Sequence, residues 1–302
     1  MATSKRHHFI PAFYLAGFTD GECRNSPFWC VGKDGSKPFR TNPNNACVEN
    51  DYYTLTESSD PMMVEKEYAG LETKIATSLR RIKENNWTLM SIDEAFMHIF
   101  SATLYLRVPE FRNSMTTPIK RIQDIALDIQ SRITLENARN GGNVSDEDFM
   151  NAVRIVSNRS KDACAPSVNR DLLIEIELRM LYDTAKLLAH RRWFLFSVPE
   201  FEECEFITSD SPFVLLPGKT PPKMYGLLTR ETEVLIPLHK RAALFGTFKK
   251  DKIYIPEPKE LVAEVNEHVY LRCNRWIYSS RKDVVEQLTI NHGRHARSNT
   301  EK

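Results

Sequence analysis

Two stretches of the chain carry side chains that chemistry can use. His7 and His8 stand side by side near the start, and Thr208-Ser209-Asp210-Ser211-Pro212 follows a run of strand-forming residues. An imidazole titrates near neutral pH, so it can move a proton or bind a metal. A carboxylate at a strand end can activate water or hold a cation. Neighbouring residues point to opposite faces of a strand and about 100° apart on a helix. His7 and His8 therefore do not aim at one point, and one imidazole is expected at a site while the other packs. The plainer alternatives are structural. Phe9, Phe13, Tyr14, Leu15 and Phe18 could simply anchor the chain start, and Asp210 could close an Asx turn near Pro212.

Glu65, Glu67 and Glu72 lie in one helical stretch. Glu65 and Glu72, seven apart, share a face, while Glu67 lies elsewhere beside Tyr68. Arg107 falls just before Pro109, where it either complements a helix C-terminus or offers its fork to a carboxylate or phosphate. The common catalytic signatures are missing: Ser209 has no GxSxG elbow, and there is no dinucleotide fingerprint, HExxH or EF-hand loop. Gly218-Lys219-Thr220 has the end of a P-loop without the earlier glycine.

The elements that must position these groups fall into blocks. The first ~60 residues are rich in turns, with strands expected at Phe28–Val31 and Asp51–Leu55. Asp60-Pro61 predicts a helix start, followed by the apolar stripe Val64, Tyr68, Leu71, Ile75, Leu79 and Ile82. Ser91 with Glu94 and Ser145 with Asp148 read as capping boxes, and Pro109 as a helix end. Ile119, Ile122, Ile125, Ile129 and Ile133 predict a further helix, stopping near Asn140-Gly141. Ile174, Leu178, Leu181, Ala185 and Leu188 predict another. Strands are then expected at 193–198, 205–208, 233–236, 243–245, 252–255 and 276–278, with a helix near 258–272.

Helices and strands are segregated, which predicts an α+β fold. The expected form is a central helical bundle over about 60–190, packed on a mixed, largely antiparallel sheet built by the C-terminal third with the N-terminal strands. One compact domain is expected over 1–290, followed by a polar tail at 291–302.

Composition narrows the function classes. The 302 residues are 41% apolar and 27% charged, and 41 basic side chains against 40 acidic ones leave a net charge of +1. Such a balance gives no field to wrap nucleic acid, although a local basic patch remains compatible with it. The six cysteines form no CxxC pair, the N-terminus has no apolar signal core, and no run of 18 apolar residues occurs. A cytoplasmic protein with reduced thiols and no membrane contact is expected.

His7-His8-Phe9-Ile10-Pro11-Ala12-Phe13-Tyr14-Leu15-Ala16-Gly17-Phe18 resembles the HHxxPxxYLxxF opening of a bacterial and fungal family known only as a domain of unknown function. Tyr105-Leu106-Arg107-Val108-Pro109 is similar to that family's Arg-x-Pro helix end. Phe206-Ile207-Thr208-Ser209-Asp210-Ser211-Pro212 resembles its FITSDxP segment. Ile236-Pro237-Leu238 and Asn266 match later positions. Ala16-Gly17 departs from a basic residue expected there. The resemblance spans most of the chain and implies no activity.

Two readings follow. In the first, the protein is a metal-dependent hydrolase of phosphodiesterase or nuclease type acting on a nucleotide or nucleic acid. His7, His8 and Asp210 are then catalytic, and His8, Asp210 and Glu67 hold a divalent metal. Tyr14, Arg107, Thr208 and Asn266 contact substrate. In the second, it is a binding or regulatory module whose His-His-Pro-Tyr segment is a structural clasp.

Overall fold

The structure is a computed structural model that describes residues 5–157, 168–218, 225–250 and 256–299, with side chains described as far as 292. Element order explains how distant motifs meet. The chain opens with β1 (Arg6–His8), α1 (Ala12–Ala16), β2 (Phe28–Gly32), β3 (Phe39–Thr41) and β4 (Val48–Asn50). Five helices follow: α2 (Met63–Glu84), α3 (Ser91–Leu106), α4 (Pro109–Arg139), α5 (Asp146–Ser157) and α6 (Arg170–Ala189). The remainder is β5 (Arg192–Ser197), β6 (Thr208–Ser209), β7 (Val214–Leu216), β8 (Glu233–His239), β9 (Ala242–Thr247), α7 (Pro258–Arg272), β10 (Trp276–Ser279) and α8 (Lys282–Asn299). This is an α+β fold, and every strand pairing among the described residues is antiparallel.

Instead of one sheet, the described residues form three. β1 pairs with β4, with His8 opposite Val48. The second sheet runs β3-β2-β10-β6, so N-terminal strands do join C-terminal ones. The third, β5-β9-β8-β7, is built wholly from strands between Arg192 and Thr247. α7 supplies Val262, Val265, Val269 and Tyr270 to a core with Val31, Phe206, Ile207, Val214, Leu235 and Ile277. Pro258 opens this helix at its first turn, where its missing N–H costs nothing.

The backbone divides into two compact units, Met1–Pro109 with Glu177–Lys302, and Glu110–Ile176. The larger contains the three sheets together with α1, α2, α3, α7 and α8. In it α2 buries Val64, Tyr68, Ile75 and Ile82, following the expected stripe. The smaller contains nearly all of α4, α5 and the first turns of α6.

Several local expectations are corrected. Asp51–Leu55 is a turn rather than a strand, because Asp51 adopts φ +54° and its carboxylate accepts the Lys5 N–H at 3.1 Å. α2 starts at Met63, with Asp60 accepting the Met62 N–H at 3.2 Å ahead of it. No capping box forms at α3, whose cap position is Met90; Ser145 does cap α5, its Oγ accepting the Asp148 N–H at 3.1 Å and donating to Asp148 Oδ2 at 2.6 Å. Pro109 begins α4 as well as following α3. α4 exposes Ile122, Ile125, Ile129 and Ile133 and turns Ile119, Leu127 and Leu135 partly inward. The expected strand at 252–255 lies outside the described residues. The segment read as a polar tail continues α8 to Asn299.

Candidate active site

One face of α2 is built from small and charged residues. Glu65, Ala69, Glu72, Thr73, Ala76, Thr77 and Arg80 recur at helical spacing beside the buried stripe. The alanines and threonines leave room, and the result is a cleft of about 480 Å³, within the range of small-molecule sites. Its other walls are His8, Ala12 and Phe13 of the opening segment, Arg24, Asn44 and Arg107.

Arg107 organises the cleft from below. It is 1% exposed. Its Nε donates to the Tyr53 hydroxyl at 2.7 Å, Nη1 to Glu72 Oε1 at 2.6 Å, and Nη2 to the His8 carbonyl at 2.6 Å. The guanidinium lies over the Tyr68 ring, 4.2 Å from its centroid. Three donors in a fixed fork thus hold both the His8 backbone and the Glu72 carboxylate.

His8 is oriented at both its backbone and its ring. Nε2 lies 2.9 Å from the Pro43 carbonyl, which can only accept, so Nε2 bears the proton and donates. In the neutral ring Nδ1 is then a lone-pair acceptor, and it has no hydrogen-bond partner among the described residues. Burial lowers the pKa of His8, the bond to the Pro43 carbonyl and Glu72 oppose that, and Arg107 and Arg24 add to the lowering. The imidazole is therefore neutral and able to take a proton at neutral pH.

Glu65 has the complementary bias. Its Oε2 is buried without a hydrogen-bond partner among the described residues. Burial raises its pKa, Arg107 pulls it back, and Glu72 pushes it up further. A carboxyl group so placed tends to hold its proton. Arg24 and Arg80 are exposed at the cleft, and their guanidinium groups have no partner among the described residues. The arrangement offers a base, an acid and two unpaired cations in one cleft.

The other expected site residues are placed elsewhere. His7 is buried, stacks on Tyr53 and accepts that residue's backbone N–H at Nδ1, 2.9 Å away. The fully buried Tyr14 hydroxyl bonds Thr208 Oγ1 at 2.6 Å and the Pro237 carbonyl at 2.7 Å. Asn266 accepts the Ile207 N–H and donates to the Glu205 carbonyl, both at 2.9 Å. Asp210 accepts the N–H groups of Asn274, Arg275 and Trp276 at 2.9, 2.8 and 3.0 Å, clamping the turn between α7 and β10. Glu67 is exposed, because at 100° per residue it faces away from the side of α2 that carries Glu65 and Glu72. His8, Asp210 and Glu67 thus do not form a metal set. Among the described residues, no group of three or more His, Cys, Asp or Glu is arranged to hold a metal ion.

Arg24, Arg80 and Asn44 complete the cleft without having been expected in it. The shared face of Glu65 and Glu72 was legible from their spacing; the two arginines and Asn44 were not. A second cleft, about 600 Å³, holds Glu22, Lys83, Trp87, His239 and Lys240. There the charged groups satisfy one another: Glu22 meets Lys83, lies 3.2 Å from His239 Nε2, and 3.6 Å from Lys240. His239 Nδ1 accepts the Arg241 N–H at 3.1 Å, so that nitrogen is not open to a ligand, and Nε2 faces the Glu22 carboxylate.

Fold and cleft together define an α+β protein with a charged, ligand-sized site between its opening segment and its first long helix. The chain matches the family described as "Protein of unknown function (DUF4238)" over residues 6–283, and it belongs to that family. No curated protein and no solved structure matches it. Among the described residues no helix is long and apolar enough to cross a membrane, and the five described cysteines are free thiols.

Proposed function

We propose that the cleft is the active site of a phosphoester hydrolase acting on a substrate of nucleotide size by acid–base catalysis. One observation carries the reading. His8, with a free Nδ1 and a lowered pKa, and Glu65, with an unpartnered buried oxygen and a raised pKa, line the same cleft as the unpaired Arg24 and Arg80. Arg24 and Arg80 would hold phosphate charge. His8 Nδ1 would take a proton from the attacking water, and Glu65 would give its proton to the leaving oxygen. Arg107 is a positioning residue for His8. The near-neutral net charge favours a nucleotide over a long nucleic acid.

The clasp reading is supported by a different observation. His7, Tyr14, Thr208, Asp210 and Asn266 all direct polar atoms to partners within the fold. It explains the motifs, and it is compatible with a cleft that binds without reacting. Purified protein should be assayed for hydrolysis and for calorimetric binding of nucleotides and bis-p-nitrophenyl phosphate. Hydrolysis that falls about 10²-fold or more in both His8→Gln and Glu65→Gln supports the enzyme. Binding without turnover favours the module, and neither binding nor turnover removes the cleft from consideration.

A further inference from the structure

α4 carries two apolar faces. Leu127 and Leu135, with the buried Ser131 between them, lie on one. Ile122, Ile125, Ile129 and Ile133 lie on the other, and they are 66%, 52%, 53% and 53% exposed. At about 100° per residue these four fall within about 80° of arc. A single exposed isoleucine is ordinary, but an unbroken row of four on one helix marks an interaction surface. Their spacing of three, four and four is that of a helix–helix seam.

The row is also self-complementary. Ile122 with Ile133, and Ile125 with Ile129, have midpoints within one residue of each other, beside Leu127. We propose that this face docks on a second copy of the chain, α4 against α4, antiparallel about a twofold axis that crosses the isoleucine row at the level of residue 127. In that arrangement Ile122 of each copy meets Ile133 of the other, and Ile125 meets Ile129. A twofold interface requires a surface that matches itself in this way.

The flanking charges favour the same partner and direction. Arg121 and Glu136 sit at opposite ends of the row, both exposed and without an ion-pair partner among the described residues. Antiparallel pairing brings Arg121 of each copy toward Glu136 of the other. Parallel pairing would set each beside its own kind. Asp128 and Arg132, between them, are already joined within the helix at 2.7 Å. Three helical turns cover less area than a standard interface of about 1,600 Å², so the dimer forms in a concentration-dependent way.

Sedimentation velocity of the full chain over a wide concentration range tests the proposal. A monomer–dimer equilibrium is expected. The double variant I125S/I129S should be monomeric, with the same far-UV circular dichroism and thermal midpoint as the wild type. E136R should weaken the dimer about tenfold, since each copy loses one attraction and gains a repulsion. R121E/E136R should restore it. A wild-type chain that stays monomeric at every concentration, or a dimer indifferent to I125S/I129S, overturns the proposal. Failure of R121E to rescue E136R overturns the antiparallel arrangement.

Discussion

The Tyr14 hydroxyl lies 2.6 Å from Thr208 Oγ1, joining residues 194 positions apart in the interior. The same hydroxyl donates to the Pro237 carbonyl at 2.7 Å. Its single proton goes to the carbonyl, so Thr208 must be the donor in the first bond. Thr208 belongs to β6 of the second sheet and Pro237 to β8 of the third. One phenol from the opening segment therefore ties two sheets together. Pro11 precedes the short α1 that carries Tyr14, and the ring packs edge-on against Phe18 and Phe100, with centroids 5.3 and 5.5 Å apart. The opening segment and the Thr-Ser-Asp segment meet at this hydrogen bond.

Tyr14→Phe keeps the ring and removes both bonds. It leaves the Pro237 carbonyl without this donor and the Thr208 hydroxyl without this acceptor, in surroundings closed to water. The expected cost is about 1–3 kcal/mol. Urea denaturation should show a lower midpoint at unchanged slope. A midpoint equal to wild type would mean that the bond between the sheets contributes nothing.

Asp210 receives three backbone N–H groups at the turn before β10, and its own N–H donates to the Trp276 carbonyl at 3.0 Å. Asp210→Ala would strand those donors at a site where the residue is only 5% exposed. Hydrogen bonds to an ionised group contribute more than neutral ones, so a loss of about 3 kcal/mol is expected. Any ligand affinity of the cleft should persist in the folded fraction. Loss of that affinity at full stability would return Asp210 to the site.

Much of this fold is legible in the residues themselves, and what is hidden is hidden for physical reasons. α7 over Pro258–Arg272 follows from a proline at a helix start and an apolar period. The α2 stripe follows likewise. α4 shows the limit of periodicity: a period identifies a helix, but α4 has two apolar faces and only neighbours decide which is covered. At α3 the expected capping pair loses to tertiary contacts; Asp93, in the first turn, is fully buried and bonded to Ser78, with Arg81 3.2 Å away. In the site, His8 and Arg107 were legible because their types are unusual where they stand. The seven-residue spacing puts Glu65 and Glu72, and not Glu67, on the face of α2 that lines the cleft. Arg24 and Arg80 join the cleft only through the path of the chain, which local pattern does not encode.

Arg107→Lys tests the organising role of the fork. A lysine keeps the charge but cannot reach the Tyr53 hydroxyl, Glu72 and the His8 carbonyl in one plane. The Glu72 carboxylate, 20% exposed, would keep at most a weaker partner. A stability loss of about 3 kcal/mol is expected, together with reduced cleft activity through misplacement of His8. Comparing kcat and KM with those of His8→Gln distinguishes the routes. A positioning role lowers kcat in both, whereas lost substrate contact would raise KM in the lysine variant alone.

His8 and Glu65 should give opposite pH dependences. Burial sets the His8 pKa below its ordinary 6.5 and the Glu65 pKa above its ordinary 4.5. The fold thus favours neutral His8, whose contribution to stability is complete above 6.5 and is lost as pH falls through the lowered folded value. It also favours protonated Glu65, whose contribution is complete below 4.5 and is lost as pH rises through the raised folded value. At neutral pH the wild type accordingly carries a penalty from Glu65 and none from His8. Glu65→Gln should be the more stable protein there and gain nothing below 4.5. His8→Gln should flatten the fall in stability that the wild type shows on acidification below 6.5. In turnover the same groups set the two limbs. Deprotonation of His8 opens the acidic limb, and deprotonation of Glu65 closes the basic one. Profiles of kcat/KM should lose the acidic limb in His8→Gln and the basic limb in Glu65→Gln, each on a much reduced rate. Limbs that survive both substitutions would assign the acid and the base to other residues.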